Sequence, residues 1–534
     1  MDTHPQVFYF IKACVKEHLY LYKMKKVRVR FAPSPTGGLH LGGVRTALYN
    51  YLFAKKHNGD FVLRVEDTDQ NRYVEGAEQY IIDCLNWCGI QPDEGPHQEG
   101  EYAPYRQSER KGLYRKYAEE LVKKGHAYYA FDTPEEIESL REKLKSEGKS
   151  NLQYGYHVRS DMRNSLSLPP EETEALLKIN FPHVIRIKIE PNEFVSFKDM
   201  IRGDMQMDTN SVDDKVLIKA DGMPTYHLAV VVDDYLMKIT HVFRGEEWLP
   251  SAPVHMLLWK YLGWQNHMPE WAHLPLILKP DGNGKLSKRD GERLGFPVFA
   301  MQWKDPNTGD VLKGFKELGF LPEAFINMLA VLGWNDGTEQ EIFSINELIE
   351  KFSINRVHSS GAKFDFDKAK WFNHEWIKKS MGNGQWAIVK TIMEDAGIKI
   401  DNDKKLKAII ELVKDRCILL TDFVQQSSFF FKFPDTIDIA AIRPKWDEKE
   451  NQFFVELIRA HELMNQWKHN ELEKEFKEIA AMSQIKPGEL MLPFRIMLVG
   501  EKFGPGVFNI AELLGKEETI KRIEHGLSLL NKKS

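Results

Sequence analysis

Residues 27–32, VRVRFA, alternate apolar and charged side chains with the period of a strand. A Pro/Gly-rich run follows. Then VRTALYNYLFAKKHNG sets its apolar residues at helical spacing, with Gly59 as a stop signal. FVLRVEDTD reads as a second strand that ends in acids. Strand, loop, helix and strand at this spacing form a βαβ unit and predict a parallel sheet. From about 100 to 210 the pattern is irregular, with helical stretches (KGLYRKYAEELVKKG, TPEEIESLREKLKSEG) and one strand, HVIRIKI. VLIKADGMPTYHLAVVVDD and THVFRGEEW then read as buried strands. The expected fold is α/β: a doubly wound, Rossmann-type parallel sheet split by an α+β insertion.

After about 375 strand-like runs become scarce and amphipathic helices dominate. In NQFFVELIRAHELMNQW, Phe453, Phe454, Leu457, Ile458, Met464 and Trp467 fall mainly three or four apart. The pattern divides the chain into an extension (1–26), a first sheet half (27–105), the insertion (106–210), a second sheet half (211–295), a connecting domain (296–375) and an all-α region (376–534). Internal repeats and low-complexity segments are absent from the sequence.

Composition changes this picture little. A chain of 534 residues exceeds one compact core and implies several domains. Hydrophobic content of 42% and charged content of 28% are ordinary for a soluble globular protein, and no apolar run reaches membrane length. The first 26 residues lack both a signal-peptide core and a transit-peptide bias, so the expected location is cytoplasmic. Met24 directly precedes KKVRVRF, and residues 1–23 are expected to be an upstream-start extension. The cysteines Cys14, Cys84, Cys88 and Cys417 form no CxxC pair, so neither a disulfide framework nor a zinc ribbon is indicated. Cys84 and Cys88, one helical turn apart, read as small buried hydrophobes. A net charge of −5 does not advertise a small nucleic-acid module, yet a large enzyme can gather its lysines on one face.

Candidate chemistry lies in two loops. FAPSPTGGLHLGGVR, residues 31–45, places His40 just before a helix that opens on Gly42 and Gly43. Helix-start N–H groups carry partial positive charge, glycine permits close approach, and histidine can donate to a phosphate oxygen. Pro33 and Pro35 stiffen the approach. The GK[ST] of a Walker A loop does not follow. DGNGKLSKRDG, residues 281–291, gathers Lys285, Ser287, Lys288 and Arg289 between glycines that predict mobility. Alone, either run is a turn with a surface histidine or a solvated charged turn. Together they suit in-line attack on ATP, one cradling the nucleotide and the other neutralising the departing pyrophosphate.

PSPTGGLHLGG resembles the HIGH signature of class I aminoacyl-tRNA synthetases, and KLSKR resembles their KMSKS signature. RFAPSPTG, RVEDTD, PYRQSER, DGMPTYHLAVVVDD and RGEEW resemble the bacterial-type glutamyl-tRNA synthetase family, from about residue 26 to the C-terminus. The resemblance implies a reaction: glutamate and ATP form glutamyl-adenylate, and the glutamyl group passes to the 3′ end of tRNA-Glu. It implies His40, Gly43, Lys285 and Lys288 as catalytic. It assigns His40, Gly42, Glu247, Trp248, Lys285, Ser287, Lys288 and Arg289 to ATP, the substrate, which brings Mg²⁺. It assigns Arg30, Ala32, Ser34, Glu66, Tyr226 and Arg244 to L-glutamate, with the two arginines on the side-chain carboxylate and Glu66 on the ammonium. Asp67 and Asp69 are expected to brace the next turn. Arg106 and Arg110 in the insertion are expected on the acceptor end of tRNA, and Arg416 near the anticodon. The region 296–375 would contact the tRNA stem, and the family form is a monomer.

Departures from the family matter as well. Some members hold zinc in the insertion, but Ala130, Asp132 and Val158 stand where its ligands would be needed and His157 remains alone, so no zinc is expected. Val230 replaces an asparagine found in some members and cannot hydrogen-bond. Of the neighbouring families, the glutamyl-queuosine paralogue lacks the long C-terminal region, and glutaminyl-tRNA synthetase has a β-barrel there rather than helices. A catalytically silent, RNA-binding relative is disfavoured by intact His40, Lys285 and Lys288.

The cationic loop supplies a first prediction. The Lys288 charge meets the phosphates most strongly as pyrophosphate leaves. Lys288→Ala is therefore expected to lower kcat for adenylate formation by about a hundred- to a thousandfold, with a much smaller change in glutamate binding. Pyrophosphate exchange with tRNA present measures this, and an unchanged kcat removes Lys288 from the mechanism.

Overall fold

The computed structural model describes residues 26–98, 100–282, 284–306, 308–381, 384–434 and 436–531. The expected extension at residues 1–23 lies outside them. The chain forms two compact units, one running to Phe315 and including Phe325–Asp365, the other comprising Lys316–Ala324 and Phe366–Ser534.

The first unit contains nine strands that place the candidate chemistry. They are β1 (Arg28–Phe31), β2 (Asp60–Leu63), β3 (Ala127–Ala130), β4 (Val184–Ile187), β5 (Phe194–Asp199), β6 (Gly203–Asp208), β7 (Val216–Ile218), β8 (His241–Gly245) and β9 (Glu270–Leu274). The main sheet runs β2-β1-β8-β9-β5-β6. Its strands are parallel except for the terminal β5–β6 hairpin. The βαβ reading is therefore borne out: β1 pairs in parallel with β2, in register from Arg28 with Asp60 to Phe31 with Leu63. The chain leaves β1 toward β2 on one side and later returns as β8 on the other. That reversal is the switch point at which open α/β sheets form ligand crevices.

All four β1 residues are buried, although their alternation would suit a half-wet strand. Val29 and Phe31 take one face; Phe31 reaches toward Gly43 of the helix Leu41–Lys56. The arginines take the other face, under the helix Tyr226–Leu236. Arg30 Nε donates to Asp234 Oδ1 at 3.1 Å, and Arg28 Nε to the Met237 carbonyl at 3.0 Å. The charged period thus marks a buried face whose charges are paired.

Two sequence expectations change here. YHLAVVVDDYL is a helix, Tyr226–Leu236, rather than a buried strand; only Val216–Ile218 of that stretch is strand. A helix covered on every side carries apolar residues all round, which over eight residues looks the same as a covered strand. The insertion also does not close as a separate block. Strands β3, β4 and β7 form a small antiparallel sheet, whereas β5 and β6, within 106–210, extend the main sheet. Cys84 and Cys88 are buried, as expected.

Among its described residues the second unit contains helices and no strand. Phe476 anchors its C-terminal core, with ring centroids 5.0 Å from Phe453, 5.4 Å from Phe494 and 5.3 Å from Phe508. Asn373 accepts from Leu321 N–H at 2.8 Å and donates to the Ile418 carbonyl at 2.7 Å, tying Lys316–Ala324 to the helices of this unit.

One buried junction joins the root of the insertion to the sheet domain. Asp233 accepts from Arg110 Nε at 2.8 Å, from Gln107 Nε2 at 2.9 Å and from the Tyr114 hydroxyl at 2.8 Å. Removing the anion leaves the Arg110 guanidinium buried without its counter-charge. Asp233→Asn is expected to cost about 3–5 kcal/mol in equilibrium urea unfolding, whereas Arg115→Ala, which breaks the exposed pair with Glu119, changes the midpoint little.

Candidate active site

A cleft of about 970 Å³ opens beyond the carboxyl ends of β1 and β8. Its first wall is the 31–45 run. His40 caps the helix Leu41–Lys56 and its Nδ1 accepts from Gly42 N–H at 3.3 Å, so in the neutral ring the proton sits on Nε2. A side chain at Gly42 would meet only the His40 ring, 3.9 Å away, so the helix start stays accessible. Gly43 has a packing reason: a Cβ there would lie 2.6 Å from Leu39 Cδ1. Glu66 N–H donates to the Pro33 carbonyl at 3.0 Å, which docks the RVEDTD turn beside Ala32 and Ser34.

Beneath this wall lies a layer of charge that the sequence motifs did not disclose. Asp234 accepts from Arg30 Nε and, at 2.7 Å, from Arg64 Nη1. Burial pushes the Asp234 carboxyl up, and the two guanidiniums outweigh that to hold it below the usual carboxylate range. Arg64 Nη2 also donates to Glu66 Oε1 at 3.1 Å. Burial raises the Glu66 carboxyl, opposed by Arg64 and Arg30.

Arg244 lies at the end of β8 among four aromatic side chains. Its Nη1 donates to the Tyr226 hydroxyl at 2.9 Å and to His255 Nδ1 at 3.1 Å, while its Nε donates to His273 Nε2 at 3.0 Å. The guanidinium lies over the Trp271 ring at 4.7 Å. Its Nη2 is buried and has no hydrogen-bond partner. Arginine only donates, so it dictates the tautomers around it. His273 carries its proton on Nδ1, facing Asp199 Oδ2 at 2.6 Å, and His255 carries its proton on Nε2, facing His227 Nδ1 at 3.2 Å. Burial pushes His255 well below its ordinary value and His227 down to about 4, with the Arg244 charge adding to both. The Tyr226 oxygen accepts from Arg244, which leaves its own O–H to donate.

The far end of the cleft holds the remaining motif residues. Glu247 and Trp248 lie on the short 3₁₀ turn Glu246–Ser251, and the Trp248 ring packs against Tyr226 at 4.7 Å between centroids. Lys285 Nζ reaches Glu247 Oε1 at 2.6 Å. Ser287 caps the helix Lys288–Leu294 through a reciprocal bond with Asp290. Part of the glycine-flanked loop is therefore helical: Lys288 opens that helix and Arg289 is an exposed residue on it.

Asp67 and Asp69 also line the cleft, whereas Arg106 and Arg110 do not. Arg110 is buried against Asp233, so the structure gives it a structural task in place of a phosphate contact. Arg106 pairs with Glu78 at 2.7 Å and Glu109 at 3.0 Å on the surface. Asp67 braces Ser108, accepting from its N–H at 2.8 Å, whereas Asp69 makes no side-chain cap. Asp132 accepts from the Tyr154 hydroxyl at 2.9 Å and from Arg163 N–H at 2.7 Å, and Ala130 and Val158 are buried. Among the described residues no group of three or more His, Cys, Asp or Glu could hold a metal ion, and no helix is long and apolar enough to cross a membrane. Arg416 is exposed in the helical unit, where its charge adds to burial in lowering Arg495.

Residues 26–371 match the catalytic domain of the class I tRNA synthetases of the E and Q type, and residues 374–527 match an anticodon binding domain. The chain belongs to this class I tRNA synthetase family. Within it, the chain is similar to the Glutamate--tRNA ligase of Christiangramia forsetii, 52% identical across 95% of this chain and 99% of the relative. It is also similar to that of Phocaeicola vulgatus, 50% identical with the same coverage. The crystal structure of a glutamate tRNA ligase from Elizabethkingia meningosepticum, in complex with its amino acid, superposes with a TM-score of 0.90 at 47% identity, covering 95% of this chain and all of that one.

The depressed histidines set a pH dependence. Each folded-state value lies below the unfolded one, so the unfolded chain takes up protons first as pH falls. Stability is then lost between about pH 6.5 and 4, on the order of 3 kcal/mol for His227 alone. Urea midpoints at pH 7.5 and 5.0 measure this. His227→Asn, which keeps an acceptor for His255, is expected to lose less stability between the two pH values than the unaltered protein.

Proposed function

We infer that the protein is a glutamate–tRNA ligase, activating L-glutamate with ATP and transferring the glutamyl group to tRNA. The observation that carries this reading is the buried, unpartnered Arg244 Nη2 in a cleft that Arg30 and Glu66 also line. These two guanidiniums and one carboxylate leave a positive charge over. Free glutamate, with two carboxylates and one ammonium, has the charge that closes the site. Arg244 and Arg30 meet the side-chain carboxylate, where a guanidinium fork suits two oxygens. Glu66 and the exposed Ser34 take the ammonium, and the Tyr226 O–H donates to the substrate beside Ala32.

The α-carboxylate is already ionised, so no general base is needed for attack on the α-phosphate. The enzyme contributes position and charge. The His40 Nε2–H, once uncovered from its buried position, meets a phosphate oxygen beside Gly42 and Gly43. Trp248 stacks against the adenine and Glu247 holds the ribose. Lys285, Ser287, Lys288 and Arg289 follow the charge that builds on pyrophosphate. Lys285 exchanges its bond with Glu247 for a phosphate when ATP enters. ATP would bring Mg²⁺, which would be held mainly by phosphate and water and would offset phosphate charge. The helical unit reads the anticodon, with Arg416 among the side chains available to it, and Arg106 can meet the acceptor end by exchanging its surface pairs. The protein acts as a monomer in the cytoplasm.

Rejection of glutamine tests the pocket. The glutamine amide is isosteric but uncharged and turns N–H donors toward guanidinium donors. The mismatch costs roughly 3–5 kcal/mol, enough for discrimination of about a hundredfold to several thousandfold. Arg244→Gln is expected to raise KM for glutamate and to narrow the ratio of kcat/KM for glutamate over glutamine. A fixed ratio with strong glutamate activation removes Arg244 from the recognition of the side chain.

A further inference from the structure

Arg244 can recognise a carboxylate only if its planar fork is aimed, and aiming falls to the groups behind it. Its Nε is held by His273 Nε2 at 3.0 Å. That ring is buried in β9, and its acceptor nitrogen exists only while the proton sits on Nδ1. Asp199, the last residue of β5, decides where the proton sits. Asp199 Oδ1 accepts from Ile201 N–H at 2.9 Å and Arg202 N–H at 3.0 Å, and Oδ2 accepts from His273 N–H at 3.1 Å and from His273 Nδ1 at 2.6 Å. Both carboxylate oxygens are committed, so the acid cannot turn without losing backbone bonds, nor the imidazole without losing Asp199 and Arg244.

We propose that Asp199 is a positioning residue for amino-acid recognition, acting through the tautomer of His273 to aim Arg244. Asp199 touches neither substrate; it lies in the hairpin strand that joins the main sheet from within the insertion sequence. The proposal rests on the reading that Arg244 meets the side-chain carboxylate.

The chemistry makes a sharp case of Asp199→Asn. The amide can turn its oxygen toward Ile201 and Arg202, losing one backbone bond at His273 N–H, or toward His273, losing two. Counting the Arg244 bond that the first arrangement also breaks, each loses two; the first keeps both bonds to the turn after β5, and it puts the amide N–H₂ against His273 Nδ1. The imidazole proton then moves to Nε2 and faces the Arg244 Nε–H, donor against donor. The variant keeps the shape of the site but turns away the arginine. In His273→Gln the side-chain oxygen can take the place of Nε2 and accept from Arg244 whatever stands at 199, because it has no proton to misplace.

The test is steady-state kinetics of the full chain with tRNA for Asp199→Asn, His273→Gln and the double variant, with Arg244→Gln as reference. Asp199→Asn is expected to raise KM for glutamate about ten- to a hundredfold, with KM for ATP within about twofold of the unaltered protein. The double variant is expected to return to the glutamate KM of His273→Gln, so the second substitution rescues the first. A double variant as poor as Asp199→Asn overturns the proposal, since Asp199 would then only anchor β5 to β9. So does an Asp199→Asn KM for glutamate within about twofold of the unaltered value while Arg244→Gln is impaired. If Arg244→Gln itself leaves glutamate KM unmoved, the underlying reading of the pocket fails instead, and the proposal with it. Should His273→Gln not fold, nitrogen chemical shifts of labelled histidine report the His273 tautomer directly; a proton still on Nδ1 in Asp199→Asn overturns the proposal.

Discussion

Asp234 sits between Arg30 and Arg64, fully enclosed, and the sheet domain is organised around that arrangement. A guanidinium cannot lie on a covered strand face without a counter-charge, and β1 and the residue after β2 each bring one to the same side. The helix Tyr226–Leu236 must therefore deliver an anion at that depth and angle. It delivers two in succession. Asp234 serves the strands, while Asp233 serves Arg110, Gln107 and Tyr114 at the root of the insertion. One helical turn thus links the amino-acid end of the cleft to the segment expected to meet the tRNA acceptor end.

The pocket is positive because its acids are occupied and its histidines are neutral. Asp234 is saturated by strand arginines and Asp199 by three backbone N–H groups and His273. His227, His255 and His273 are all lowered by burial and all bear on Arg244 directly or through one neighbour. Neutral imidazoles accept hydrogen bonds from a guanidinium without cancelling its charge. A ring of carboxylates would aim Arg244 equally well but would remove the field that an anionic substrate needs. On Arg244 itself the unpartnered nitrogen, Nη2, is what remains after this enclosure.

The end of the cleft proposed for the nucleotide follows a different logic. There the backbone of a helix start, an exposed indole and an exposed Lys285–Glu247 pair face open space. Exposed pairs exchange partners at little cost, which suits groups that must follow a phosphate as charge builds on it and then release it. In the function proposed above, the aimed, enclosed arginine selects the amino acid and the exchangeable lysine accompanies the chemistry.

Much of this was legible in sequence. The βαβ start, the capped helix behind His40, the insertion and the helical C-terminal region all follow from local period and from glycine and proline, which act over a few residues. The motif residues from Arg30 to Ser287 converge on one cleft because strand ends and helix starts meet at a switch point, a rule that local order already implies. What the sequence could not show is set by partners that lie from about ten to more than a hundred positions apart. YHLAVVVDDYL looks like a strand until it is known to be covered on every side. Arg110 looks like a phosphate ligand until Asp233 is found against it. Asp199, His255 and His273 carry no signature, since a lone acid or histidine in a strand or a helix says nothing until tertiary packing brings it to Arg244. Period and turn chemistry are properties of neighbouring residues and can be read along the chain. Charge pairing and tautomer choice depend on burial and on which distant group lies within 3 Å, and those the fold alone decides.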